Sequence, residues 1–145
     1  LGQVLRDRSI GLYLETLGML LLNGVAMRRA LALARSTCTL PGIPRLLMGI
    51  ENGVVSGRSF SEAARESHLF DSTTMALITI GYEAGKLGET VERAAIMLRT
   101  RANLTLSRAI AVISPTLTIV SGGFIGALVL TIMSALMQMN DMALQ

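Results

Sequence analysis

From Ala109 to Asn140 the chain carries no ionisable side chain, and all thirteen Lys and Arg residues lie at or before Arg108. A run of this length exceeds the roughly 20 apolar residues that cross a hydrocarbon core of about 30 Å. Its most hydrophobic part is Leu117 to Met137. The expected span is 113–139, with 140–145 as a short tail. Arg93, Arg99, Arg101 and Arg108 crowd the N-terminal flank, whereas Asp141 alone follows the run. The positive-inside bias therefore predicts that residues 1–112 face the cytoplasm and that the tail faces the other side. The alternative for such a run is a buried helix of a soluble bundle. A cleaved signal peptide is ruled out by position, because the segment lies at the far end of the sequence.

The remaining length allows one modest domain with its own core. Leu, Met, Ala and Ile are frequent before the run and aromatic residues are scarce. Straight-chain aliphatics with Ala favour helix over sheet. Residues 1–108 hold thirteen basic against nine acidic side chains, the tenth acid being Asp141. A basic surface near anionic lipid accounts for that excess. Nucleic acid is disfavoured as a partner, since there is no compact Arg run and little aromatic surface to stack bases. The single cysteine, Cys38, permits no internal disulfide, in keeping with a reducing compartment.

Helical periodicity divides the first part of the chain into six segments. Ile10, Tyr13, Leu14, Leu17, Gly18 and Leu21 recur at three- and four-residue steps, and Asn23 and Gly24 stop the run. Met27, Ala30, Leu31, Ala34 and Cys38 repeat the spacing until Pro41 breaks it. After Pro44, Leu46, Leu47, Ile50 and Val54 predict a third helix closed by Gly57. Ser59 and Glu62 have capping-box spacing for a short fourth helix carrying Ala63 and Ala64. Asp71 is placed to cap a fifth, with Met75, Leu77, Ile78 and Ile80, ended by Gly81 or Gly85. A sixth begins near Leu87, with a buried stripe of Leu87, Val91, Ala94, Leu98, Ala102 and Leu106. The expected fold is all-α: an antiparallel six-helix bundle followed by one transmembrane helix. Gly24, Gly57 and Gly85 recur about every thirty residues, each between two apolar helices, which suggests three helix-turn-helix units.

The apolar run has a pattern of its own. Gly122 and Gly126 form a GxxxG pair extended backward by Thr118, and Gly123, Ala127, Thr131 and Ala135 place a small side chain at every fourth position. Such ridges let helix backbones approach closely in lipid, where packing drives association, although Gly and Ala are also common in membrane helices for other reasons. Pro115 stands near the expected membrane entry, where it removes a backbone donor and can kink a helix. With no charged or His residue inside it, the span offers no proton or ion path.

No catalytic constellation emerges. His68 has no second ligand at metal spacing. Cys38 sits on a core stripe, out of place for a nucleophile. Gly81, Gly85 and Gly88 lack the preceding strand and the GKS or GKT ending of a phosphate loop. Glu89 and Glu92 read as a solvated helix face beside Arg93. The chain is therefore expected to be non-enzymatic, without cofactor or metal.

Three stretches taken in order carry a resemblance: YLETLGMLLLNGVAMRRAL from Tyr13 to Leu31, GRSFSEAA from Gly57 to Ala64, and GYEAGKL from Gly81 to Leu87, followed by a long helix and the Pro-containing span. Together they resemble the F-domain family of bacterial inner-membrane platform proteins of type II secretion and type IV pilus assembly, over about residues 10 to 139. Two departures mark a divergent branch. Tyr82 stands where the family usually has Glu, with Glu83 following, and Glu15 and Thr16 stand where many relatives have a basic residue.

Family members typically carry two such domains and three spans, and this chain is similar to the C-terminal half. The resemblance implies an all-helical, non-catalytic platform in the inner membrane, with residues 1–112 cytoplasmic and the C-terminus periplasmic. It implies a cytoplasmic assembly ATPase, pilin or pseudopilin subunits, other inner-membrane assembly proteins, lipid and further copies of the chain as partners. Motor movement would pass through the bundle to the span. Candidate contacts are Arg28 and Arg29 near the first turn and Glu83 and Lys86 near the third, with Gly24, Gly57, Gly81, Gly85 and Leu87 shaping the turns. Two alternatives stay open: a colicin-like pore former that stores an apolar hairpin, and a membrane-anchored adaptor unrelated to secretion.

Overall fold

The computed structural model describes residues 1–145 as six α-helices with no strand. In chain order they are α1 (Gly2–Leu22), α2 (Met27–Arg35), α3 (Ile43–Val55), α4 (Phe60–Ser67), α5 (Ser72–Glu83) and α6 (Leu87–Ala143). The chain divides into two compact units, Leu1–Thr105 and Leu106–Gln145.

The first unit holds the core. Tyr13, Leu14 and Leu17 of α1 are buried with Leu31, Leu47, Ile50, Phe60, Ile78 and Val91, so every helix contributes an apolar face. Thr74 is fully buried as well, and its hydroxyl is taken up by the Asp71 carboxylate.

The three recurrent glycines share one structural role. Gly24, Gly57 and Gly85 have φ of 80°, 97° and 69°, a left-handed conformation that glycine adopts without steric cost. Each ends a helix with the same pair of backbone bonds. The Gly24 amide donates to Leu21 O at 3.1 Å and the Val25 amide to Leu20 O at 3.0 Å. Gly57 and Arg58 donate likewise to Val54 O and Gly53 O, and Gly85 and Lys86 to Tyr82 O and Gly81 O. This is the Schellman arrangement, which satisfies carbonyls that the helix end would otherwise leave unpaired. The pairs α1–α2, α3–α4 and α5–α6 are thus joined by turns of one chemistry.

Glycines also set how closely helices approach. A Cβ on Gly18 would lie 3.0 Å from Gly88 O and 3.1 Å from Glu92 N, and one on Gly11 would meet Ala95, Leu98 and Arg99 at 3.6 Å. Gly81 faces Thr90, and Gly53 faces Ala63. Ion pairs also link helices: Arg99 with Glu15 at 2.9 Å, Arg101 with Asp71 at 3.3 Å, and Arg35 of α2 with Glu51 of α3 at 3.0 Å. All are partly exposed, so they orient helices more than they stabilise them.

Several local expectations need correction. The second helix ends at Arg35, before Cys38, because the Ser36 and Thr37 hydroxyls donate to Leu33 O and Ala34 O and compete with the next helical bonds. Cys38 is nonetheless buried. Gly81 lies inside α5, and Gly85 marks the stop. Leu46 and Ile80 are exposed, and Leu106 is 42% exposed, outside the stripe that ends at Ala102. Asp71 occupies the N-cap of α5, but its side chain serves Thr74 and Arg101 and makes no capping bond. Ser59 does cap α4, accepting from the Glu62 amide at 3.1 Å.

The second unit is the C-terminal part of α6. The sixth helix runs on through Pro115 and the apolar run as one helix, Leu87–Ala143. The helix is long and apolar enough to cross a membrane, and none of its most apolar window is buried. Four of its hydroxyls are satisfied within the helix. Thr116, Thr118, Thr131 and Ser134 donate to the carbonyls of Val112, Ser114, Ala127 and Leu130 at 2.8 to 3.1 Å. In lipid, where no water completes such groups, this back-bonding removes the cost of a stranded donor.

Candidate functional site at the paired turns

The first and third turns are brought side by side. A Cβ on Gly88, at the start of α6, would lie 3.1 Å from Leu22 Cγ and 3.3 Å from Leu22 N, at the end of α1. The absence of a side chain at Gly88 lets the α1–α2 turn sit close against the α5–α6 turn. Arg28 and Arg29 open α2 just beyond the first turn, while Glu83 ends α5 and Lys86 lies in the third. All four side chains are exposed, and none belongs to the ion pairs within the chain. Lys86 is held by its backbone: its amide donates to Gly81 O at 2.8 Å and its carbonyl accepts from Thr90 Oγ1 at 3.2 Å. Leu87 is half-buried against the core. The result is one surface with three cations and one anion on fixed backbone.

Leu22 and Tyr82 belong to this surface too; the sequence marks Tyr82 only as a departure from the family pattern, and Leu22 is a residue that sequence reasoning passed over. Both are large, apolar and exposed beside the turns. Their signal was available: an apolar residue directly before a helix-ending turn has no following helix to cover it. A surface of exposed cations around exposed apolar side chains suits a protein partner carrying acidic groups.

The Gly57 turn lies between α3 and α4, where Arg58 pairs with Glu66. In the apolar part of α6, a Cβ added at Gly122, Gly123 or Gly126 would meet no atom within 4 Å, so the ridge they form with Ala127, Thr131 and Ala135 is open along the helix. Pro115 lies within α6.

Other reactive side chains are elsewhere. Burial pushes the Cys38 thiol above its ordinary range, and contacts with Ser9 and Thr37 offset this only in part. Burial likewise holds the Tyr13 phenol well above its usual value, with the nearby Cys38 and Glu51 adding to the effect. His68 is exposed at the left-handed C-cap of α4. No three His, Cys, Asp or Glu side chains converge as metal ligands.

The family profile described as "Type II secretion system (T2SS), protein F" matches residues 13–135. The chain belongs to this family. The match covers all three turns of the first unit and the small-residue ridge of the second. The chain is also similar to "Type IV pilus assembly protein PilC" of Myxococcus xanthus (strain DK1622), at 22% identity over 125 residues. Those residues are 86% of this chain and 30% of that protein, so the chain spans about a third of its relative's length. As a protein F family member, it carries the family's sequence across both the paired turns and the apolar helix.

Proposed function

We propose that this protein is part of a non-catalytic inner-membrane platform of a type II secretion or type IV pilus machine. It takes up movement from a cytoplasmic assembly ATPase and passes it to pilin or pseudopilin subunits in the membrane. The observation that carries this reading is a single family match running from the core helix α1 through the exposed apolar helix. In this reading residues 1–112 are cytoplasmic, 113–139 span the membrane, and 140–145 lie in the periplasm. The charge boundary at Arg108 supports that orientation.

The first unit acts as an antiparallel bundle in this account. Contacts that ascend α1 from Gly11 to Gly18 to Leu22 descend α6 from Leu98 to Glu92 to Gly88, which supports the arrangement. The ATPase docks on the paired turns through Arg28, Arg29, Glu83 and Lys86. Gly122, Gly123, Gly126, Ala127, Thr131 and Ala135 pack against other membrane helices, from pilins, assembly proteins or further copies of the chain, and Pro115 bends the helix at the membrane entry. No cofactor is required for such work. A colicin-like pore former is less well supported, because the apolar segment here is exposed and is not stored in a core.

Deletion of residues 1–112 from the full-length platform tests the reading. Loss of ATPase recruitment and of fibre assembly is the expected result. Unchanged recruitment and assembly would overturn it.

A further inference from the structure

The first unit holds a charged cavity that neither the core nor the paired turns use. Gln3, Arg6, Asp7 and Ile10 fall at i, i+3, i+4 and i+7, on one side of α1. Ile10 is buried, but the other three are not. Together with the segment between α4 and α5 and with Leu98 and Arg101 of α6, they bound a cavity of about 380 Å³.

Two guanidiniums are fixed on its wall. Arg6 donates through Nη2 to Leu69 O at 3.1 Å, and Arg101 through Nη1 to Asp71 Oδ2 at 3.3 Å. A guanidinium has five N–H donors, so each keeps several free for a ligand. His68 adds an imidazole to the same wall, and it is the one residue other than glycine with positive φ, at 52°. Such a backbone is costly for a residue with a side chain and gathers at binding sites. The two carboxylates differ. Asp71 is taken up by Thr74 and Arg101, whereas Asp7 is half-buried and in no ion pair of the chain.

The cavity thus offers free cationic donors beside one uncompensated carboxylate. A simple anion would meet Asp7 as a like charge, and a simple cation would meet Arg6 and Arg101. A ligand that carries both signs is complementary to both. We infer that this cavity binds a phosphate ester bearing an ammonium group, the phosphate on Arg6, Arg101 and His68 and the ammonium on Asp7. The favoured source is the headgroup of an aminophospholipid, since only Arg108 among charged residues stands between Arg101 and the apolar run. That choice of source rests on the membrane anchoring proposed above. A soluble aminophosphate has the same chemistry.

Full-length platform, purified in detergent and stripped of lipid, tests the site when titrated with equal amounts of phosphatidylethanolamine and phosphatidylglycerol. Native mass spectrometry counts the lipid bound. Phosphatidylethanolamine should be retained severalfold over phosphatidylglycerol. Asp7→Asn should abolish that preference, Arg6→Gln should lower retention of phosphatidylethanolamine severalfold, and Arg45→Gln, at an exposed cation of α3, should change neither. Trypsin resistance of the first unit confirms that each variant is folded. Calorimetry with soluble phosphoethanolamine is the second arm. Binding there that Asp7→Asn and Arg6→Gln weaken, without a lipid preference, would uphold the cavity and assign it a soluble ligand. Absence of both the preference and phosphoethanolamine binding would overturn the proposal, as would a preference or binding that both variants leave intact. Membrane fractionation of the wild type reports anchoring separately, so its failure is distinguishable from failure of the site.

Discussion

Replacing Gly81 by alanine places a methyl group where there is no room for one. The added Cβ would lie 1.7 Å from Thr90 Oγ1, 2.7 Å from Thr90 Cβ and 2.9 Å from Thr90 Cγ2. Rotating Thr90 does not relieve this, because its Cβ is itself too close. The contact of α5 with α6 must then open, at the upper end of the about 1–3 kcal/mol typical of overpacking. The Thr90 hydroxyl also loses its bonds to Lys86 O and Leu87 O, worth about 1 kcal/mol. Against this, Ala for Gly in a helix returns about 1 kcal/mol. The net expectation is a loss of about 3 kcal/mol, or on the order of 10 °C in the unfolding temperature of a unit this size. Trypsin susceptibility against temperature, in detergent micelles, reports mainly this unit, because twelve of the thirteen Lys and Arg residues lie in it and the other is Arg108. Gly49→Ala, with nothing within 4 Å of its added methyl, should instead stabilise by about 0.5–1 kcal/mol. Adding Thr90→Gly to Gly81→Ala should recover part of the loss. If Gly81→Ala resists trypsin as well as Gly49→Ala does, the close approach of α5 to α6 is wrong.

The turn glycines should respond through backbone strain alone. Gly57→Ala, at φ 97° with open space around it, should cost about 1–2 kcal/mol in the same trypsin assay. Asp71 links stability to acid. Burial alone would raise its carboxyl pKa, but hydrogen bonds from Thr74 and Arg101 and the Arg101 charge outweigh it and leave the pKa below its usual value. With the folded value the lower one, its contribution is present above the ordinary carboxylate range and fades as pH falls through the folded value. An Asp71→Asn variant should therefore lose less stability than the wild type between neutral and strongly acid pH, measured by thermal unfolding. Gly122→Ile with Gly126→Ile should weaken association of the apolar helix with its neighbours in membranes, read as loss of cross-linked partners, while leaving the trypsin-resistant unit intact.

The parts of this fold that were legible in the sequence are those with local causes. Gly24, Gly57 and Gly85 announce their turns because a positive φ is needed there and glycine supplies it, and Ser59 announces α4 by its cap. Gly81 shows the limit of that logic. A glycine that ends a helix and one that lets a neighbouring helix approach look alike in sequence, and Thr90, nine residues on, decides which it is. Leu46, Ile80 and Leu106 fit the helical period yet are exposed, since periodicity names a stripe without saying how wide the covering neighbours are. The candidate site was half legible. Arg28, Arg29, Glu83 and Lys86 could be chosen for their nearness to turns, but the contact of Gly88 with Leu22 that joins two of those turns spans most of the first unit in sequence.

The central claim is that the paired turns receive the motor, and charge reversal there tests it most directly. Full-length platform carrying Arg28→Glu, Arg29→Glu and Lys86→Glu together would be purified from native membranes beside the wild type, and the co-purified assembly ATPase quantified. All three side chains are exposed and unpaired within the chain, so the trypsin-resistant unit should persist. The account predicts that the ATPase is lost while the platform remains in the membrane. Wild-type amounts of ATPase on the reversed surface would contradict it.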